Sequence, residues 1–276
     1  MIVSGTTRVA GVIGAPIGQS LSPAIHNAAF RAAALDWLFA AFEVAPGQAA
    51  TALAGMRALG LGGLSVTMPH KADVADAVDV LTSAAERLHA VNTVVPRPDG
   101  GLEGHNTDGG GFIDSLLDAG IDVAGRRCVV LGAGGAARAL VVALADSKAA
   151  EIVVVNRSAG PAAVAAALAG DRGRVGTTAD ITDAELLVNA TSVGMGSNDL
   201  PARADDVHAG QVVADIVVHP LDTAFLRAAR AAGATTVDGL GMLVHQAARA
   251  FTLWTGVVAP VDVMRRAARA AVEARA

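Results

Sequence analysis

At 276 residues with a formal net charge of -5 and no basic block, the chain is long enough for one large or two ordinary domains, and its charge argues against nucleic acid as a partner. Its hydrophobic fraction of 53% comes largely from alanine, and no window reaches the roughly 18 consecutive apolar residues of a membrane span. The start, Met1-Ile2-Val3-Ser4-Gly5-Thr6-Thr7-Arg8, carries neither a secretory nor a transit pattern, so the expectation is a cytoplasmic protein, and the single cysteine, Cys128, excludes disulfides and thiolate metal sites.

Short β-branched runs alternate with longer alanine-rich stretches, which predicts an α/β fold. The first part predicts strands at 9–13, 39–44, 63–67 and 92–95, with helices near 23–35, 48–59 and 83–88. The glycines Gly109-Gly110-Gly111 form a natural break. After it, strands are expected at 127–131, 152–155, 186–189, 212–216 and 235–237, with helices between them. A final helical pair, 241–254 and 260–275, is free to pack back on the first part. Arg265, Arg266, Arg269 and Arg275 are expected on the solvated face of the last helix. Two lobes with a return crossing would leave a ligand cleft between them.

Ahead of the first helix, Ser20 and Ser22 alternate in Gly18-Gln19-Ser20-Leu21-Ser22-Pro23, a grip for a polyol or a carboxylate. Ser22 before Pro23 is equally the pattern that caps and begins a helix, a role Ser20 lacks. His26 reads as a packed or partly exposed histidine, and the seven histidines show no metal-ligand spacing. The run Gly62-Gly63-Leu64-Ser65-Val66-Thr67-Met68-Pro69-His70-Lys71 ends an apolar stretch on hydroxyls, a proline and a lysine. Lys71 is therefore a candidate catalytic cation at a strand end, the plainer alternative being a lysine at a helix terminus. Asp108, in Gly104-His105-Asn106-Thr107-Asp108-Gly109, is a carboxylate in a turn-rich setting, its plainer alternative a helix N-cap.

Leu131-Gly132-Ala133-Gly134-Gly135-Ala136-Ala137 is a glycine loop of the dinucleotide type. Gly132 would permit the tight turn, Gly134 a close approach to pyrophosphate, and Ala137 takes the third fingerprint position. A helix over 134–144 would aim its free amides at the phosphates. The next strand ends at Asn156-Arg157-Ser158, where an NAD-preferring protein would normally show an acidic residue. Arginine suits a 2′-phosphate, hence NADP(H). Lysine, carboxylate and nucleotide loop together suggest carbonyl reduction.

The collinear motifs Ser20-Leu21-Ser22-Pro23 with His26, Ser65 to Lys71, Val91-Asn92-Thr93, Asn106-Thr107-Asp108-Gly109, Gly132 to Ala137, Asn156-Arg157, Asn189-Ala190-Thr191-Ser192-Val193-Gly194-Met195 and Asp238 to Ala247 resemble the shikimate dehydrogenase family along essentially the whole chain. The resemblance implies reversible NADPH-dependent reduction of 3-dehydroshikimate to shikimate in aromatic amino-acid biosynthesis. It implies a substrate domain of residues 1–108 completed by 241–276, and a Rossmann-type NADP-binding domain of residues 109–240, in a monomer or homodimer. By resemblance, Ser20 and Ser22 would bind the substrate carboxylate, and Thr67, Asn92 and Gln246 its ring hydroxyls. Lys71 and Asp108 would form the catalytic pair. Ser65 and Val218 stand at further substrate positions, where the family commonly has asparagine and tyrosine. The cofactor would meet Gly132, Ala133, Gly134, Gly135, Ala136, Ala137, Asn156, Arg157, Ser158, Thr191, Ile216 and Gly239.

Those two departures keep a paralogue acting on quinate or an amino-shikimate open. Arg157 counts against an NAD-preferring quinate enzyme. A non-enzymatic NADP(H)-binding sensor is the more distant alternative, against which stands the presence of both Lys71 and Asp108.

Overall fold

The computed structural model describes residues 3–275, in which the elements follow one another as β1 (Arg8–Gly14), α1 (Ser22–Ala32), β2 (Trp37–Glu43), α2 (Ala49–Leu59), β3 (Gly63–Val66), α3 (Lys71–Ala77), β4 (Val80–Leu81), α4 (Ser83–Leu88), β5 (Thr93–Pro96) and β6 (Leu102–His105). Then come α5 (Asp108–Asp118), β7 (Arg127–Leu131), α6 (Gly135–Asp146), β8 (Glu151–Val155), α7 (Ala159–Ala167), β9 (Gly173–Val175), β10 (Leu186–Asn189), β11 (Val212–Asp215), α8 (Ala224–Ala231), β12 (Thr235–Val237), α9 (Gly239–Thr255) and α10 (Val261–Glu273). The chain divides into two compact units, one made of the residues before Asp108 together with Gln246–Arg275, the other of Asp108–His245.

The first unit is built on a mixed sheet in the order β2-β1-β3-β5-β6-β4. β1 runs parallel to β2 and β3, whereas β5 is antiparallel to β3 and β6. This arrangement brings the ends of β1, β3 and β6 and the start of β5 to one edge. Leu53, Met56, Val66, Val74, Val91, Val94 and Leu102 fill one core. Phe30, Trp37, Phe39, Phe251 and Trp254 form an aromatic cluster around His26. The Trp254 indole donates to the Val94 carbonyl at 3.0 Å, and a Cβ on Gly63 would lie 2.5 Å from its ring. The returning chain thus packs on the first unit, as α10 also does through α1.

The second unit is a parallel sheet in the order β12-β11-β10-β7-β8-β9, with the direction of winding switching between β7 and β10. Alternate residues of β7 enter opposite cores, Cys128 and Val130 on one side and Val129 and Leu131 on the other. Burial on both faces is why these strands read as unbroken apolar runs. Burial also pushes the Cys128 thiol up to about 12. Arg127 at the start of β7 and Arg174 in β9 are absorbed in ion pairs with Glu151, at the start of β8, and Asp180.

Three sequence expectations need correction. Gly109 and its neighbours follow directly on the division between the two units but are helical, inside α5, where a Cβ on Gly109 would come 2.4 Å from the Ala139 carbonyl oxygen of α6. They read as an interruption of secondary structure because the cause, a close helix approach, is tertiary. The strand expected through residue 216 stops at Asp215, whose side chain accepts the Val217 amide at 3.0 Å and turns the chain. Arg275 lies past α10 and donates to the Gln19 and Ser20 carbonyls instead of covering a helix face.

Candidate active site

Most of the substrate-side residues leave the first sheet at the shared edge. Beyond β3, the Thr67 amide donates to Ile13 O at 3.0 Å and Met68 O accepts the Ala15 amide at 3.0 Å, so this segment is tied to the end of β1. A Cβ on Gly14 would lie 2.5 Å from the Thr67 methyl. His70, fully buried, places Nε2 2.8 Å from Val44 O; a carbonyl only accepts, so Nε2 carries the proton. Lys71 opens α3 and accepts the Val91 amide at 2.9 Å, a helix-terminal position and not a strand end. Its carbonyl is therefore fastened to the chain entering β5, and the residue is half-buried.

The two serines exchange the roles expected for them. Ser22 is already helical, follows Leu21 at the N-cap, and its hydroxyl bonds to nothing among the described residues. Ser20 is the local acceptor, taking the Ser22 amide at 3.3 Å. The hydroxyls of Ser65 and Thr67, both half-buried, are likewise without a partner among the described residues. His26 is packed, stacked on Phe39 with centroids 4.4 Å apart, and burial lowers it from 6.5 to about 3.

Asn92, just before β5, is 4% exposed and gripped by the chain leaving β6. Its Oδ1 accepts the Thr107 amide at 2.8 Å and the Thr93 hydroxyl at 3.0 Å, and its Nδ2 donates to the Thr107 hydroxyl at 2.9 Å. Antiparallel pairing of Thr93 with His105 brings these residues side by side. Asp108 follows Thr107 directly and is the buried first residue of α5. Thr107 thus orients one candidate and carries the next in its own backbone. Val218, after β11, and Gln246, within α9, are both half-buried.

In the second unit, the glycine loop has the form the phosphates need. Gly132 has φ +107, and a Cβ there would press within 3.0 Å of Ala190 O and the Thr191 methyl. Gly134 is the extended N-cap of α6, which begins at Gly135, and a Cβ on either glycine would meet nothing within 4 Å. Open space in front of free helix amides is a cradle for an anion. Ala136 flanks it, Ala133 is half-buried, and Ala137, fully buried, needs a small side chain against the core. At the end of β8, Asn156 Nδ2 donates to Ser158 O at 3.0 Å, and Arg157 is exposed with no partner among the described residues. The residues present therefore fit a dinucleotide with an extra phosphate. Among the described residues, no group of three His, Cys, Asp or Glu side chains could hold a metal ion.

Residues 12–94 match the family model for the shikimate dehydrogenase substrate binding domain, and residues 239–269 that for the shikimate 5'-dehydrogenase C-terminal domain. The shikimate dehydrogenase (NADP(+)) of Moorella thermoacetica is 44% identical across 99% of this chain and 96% of its own. That of Symbiobacterium thermophilum is 46% identical across 98% and 96%. This chain belongs to the shikimate dehydrogenase family. The shikimate 5-dehydrogenase of Thermus thermophilus, solved in complex with NADP(H) and shikimate, agrees in fold with a TM-score of 0.90 at 36% identity over 96% of this chain and 99% of that one.

For this family member, the first matched stretch holds Ser20, Ser22, Ser65, Thr67, Lys71 and Asn92, and the second Gly239 and Gln246. The glycine loop and Arg157 fall between the two stretches, so their reading rests on their own geometry. Sequence reasoning did not single out Thr93, Thr107, Asp215 or Thr223, all buried polar groups with complete bonding. The only sequence signal for them is a polar residue at the end of an apolar strand or inside a motif already noted.

Proposed function

We propose that the chain is an NADP-dependent shikimate dehydrogenase that interconverts 3-dehydroshikimate and shikimate in aromatic amino-acid biosynthesis, with Lys71 and Asp108 as its catalytic pair. The supporting observation is an end-to-end match to shikimate dehydrogenases in a chain that keeps both residues, Lys71 at the head of α3 and Asp108 at the head of α5. When bound, NADPH supplies the hydride. Lys71 meets the substrate carbonyl, stabilises the oxyanion that develops on it, and passes it a proton. Asp108 orients the ammonium.

The hydroxyls of Ser20 and Ser22 take the substrate carboxylate, while Thr67, Asn92 and Gln246 take the ring hydroxyls. Asn92 arrives with its amide orientation already set by Thr93 and Thr107. Ser65 and Val218 stand where the family commonly has longer polar side chains, so substrate affinity leans more on the serine pair and Thr67. On the cofactor side, the α6 amides receive the pyrophosphate and Arg157 the 2′-phosphate, with Asn156, Ser158, Thr191, Ile216 and Gly239 completing the wall. A biosynthetic role of this kind suits the cytoplasm, where the protein would work as a monomer or homodimer.

Steady-state kinetics of Lys71→Ala, Asp108→Asn and the double variant test the pair. Lys71→Ala should lower kcat by about two decades or more with a smaller effect on KM. Because the two residues act as one unit, the double variant should be little slower than the poorer single variant. Full activity in Lys71→Ala, or strictly additive losses, would contradict the assignment.

A further inference from the structure

Asp215 is a carboxylate with 1% exposure at the end of β11, and among the described residues no cation is bonded to it. It accepts from Asn189 Nδ2 at 2.9 Å, from the Val217 amide at 3.0 Å and from the Thr223 hydroxyl at 2.8 Å. Burial pushes the Asp215 carboxyl above the usual carboxylate range, while these three hydrogen bonds oppose the rise. Burying a carboxylate without a counter-charge is unfavourable compared with an apolar residue of similar size, so packing alone does not account for it. A carboxylate accepts from all three, whereas the amide of an asparagine would turn an N–H toward the Thr223 hydroxyl and reverse that bond.

Asn189, paired with Asp215 in the sheet register, carries the network into the next turn. Its Oδ1 accepts the Thr191 amide at 3.1 Å and the Thr191 hydroxyl at 2.7 Å. Its Nδ2 divides between Asp215 and Val193 O at 3.1 Å, so every polar atom of this side chain is committed and its orientation is set. The Thr191 hydroxyl in turn accepts the Val193 amide at 3.0 Å. Thr223 joins Asp215 to the start of α8 by accepting the Leu226 amide at 3.2 Å. The turns fastened in this way are fitted without slack. A Cβ on Gly132 would come within 3.0 Å of Ala190 O and the Thr191 methyl in the first, and one on Gly239 would lie 2.6 Å from Val217 O in the second.

We propose that Asp215 is a positioning residue for dinucleotide binding: acting through Asn189 and Val217, it holds the turns after β10 and β11 at the spacing that the cofactor-facing residues Thr191 and Ile216 require. The inference rests on the NADP(H) reading of this unit. Asp215 touches neither substrate nor cofactor; its effect passes through backbone that it fastens.

The test is direct titration of the full-length protein with NADPH, followed by the emission of its nicotinamide, alongside calorimetric titration with shikimate alone. Asp215→Asn and Thr223→Val should each weaken NADPH by about tenfold to a hundredfold, the range of a lost bond to a charged group, while shikimate affinity changes less than about twofold. Thr223→Ser, which restores the hydroxyl, should return NADPH affinity to that of the wild type. Asp222→Asn, at an exposed carboxylate beside the network, should bind both ligands normally. Wild-type NADPH affinity in folded Asp215→Asn and Thr223→Val overturns the proposal, as do equal losses of both ligands that follow the unfolded fraction. If Asp215→Asn does not fold, the Thr223→Val and Thr223→Ser pair decides by the same criteria. Absence of NADPH binding by the wild-type protein overturns the cofactor reading and this inference with it.

Discussion

On the proposed reading, the cofactor preference rests on Arg157, an exposed guanidinium with no partner among the described residues. Arg157→Ala should therefore weaken NADPH by about one to two decades and NADH hardly at all; equal losses for the two cofactors, measured by the same titration, would contradict the contact. The serines show where residue-level reading of a sequence falls short. Ser before Pro is a capping pattern, yet the chain enters α1 one residue earlier, with Leu21 at the N-cap, and it is the Ser20 hydroxyl just ahead of it that accepts the Ser22 amide. Ser22→Ala should accordingly leave the melting temperature unchanged while raising the shikimate KM by about tenfold or more, and Ser20→Ala should also lose up to about 1 kcal/mol of stability. His26 gives a pH signature. Its ring is neutral in the fold down to about 3 but takes a proton in the unfolded chain below 6.5. The unfolded state then binds more protons, so stability falls as pH falls between those values. Chemical denaturation of His26→Leu against the wild type should show the wild type losing ground by up to about 1.4 kcal/mol per pH unit in that window, and parallel curves would contradict it.

At the scale of elements, glycine means opposite things in α5 and α6. In α5, Gly109→Ala should raise helix propensity but drive a methyl into the Ala139 carbonyl, and the clash should win, with a loss of about 1–3 kcal/mol seen as a lower melting temperature. In α6, Gly135→Ala meets open space, so its melting temperature should hold or rise while NADPH affinity falls because the methyl fills the phosphate cradle. Both substitutions look alike on paper, since only tertiary contacts separate them. β7, β10 and β12 lie where the sequence places them, β7 and β10 because they are unbroken apolar runs. β4, β6 and β9 were missed because they are short, partly polar, and gain their pairing from neighbours rather than from their own pattern. α3 was hidden behind Pro69 and His70, which read as the end of a strand.

For the whole molecule, the order of motifs along the chain carried more information than any motif alone. A glycine loop, a lysine after a strand and an isolated aspartate each have plain structural explanations, and Lys71 and Asp108 do sit at helix starts as those explanations require. What the sequence could not display was the buried polar framework behind them, Thr107 on Asn92 and Asp215 on Asn189, because a buried hydrogen bond leaves no periodic trace. Neither could composition weigh the missing phenol at Val218 against the remaining hydroxyls. The most direct test of the central claim is the initial rate of NADP+ reduction by the purified protein with shikimate, with quinate and with buffer alone. The account predicts NADPH formation that depends on shikimate, saturates with it, and greatly exceeds the rate with quinate. No shikimate-dependent NADPH formation, or a clear preference for quinate, would contradict it.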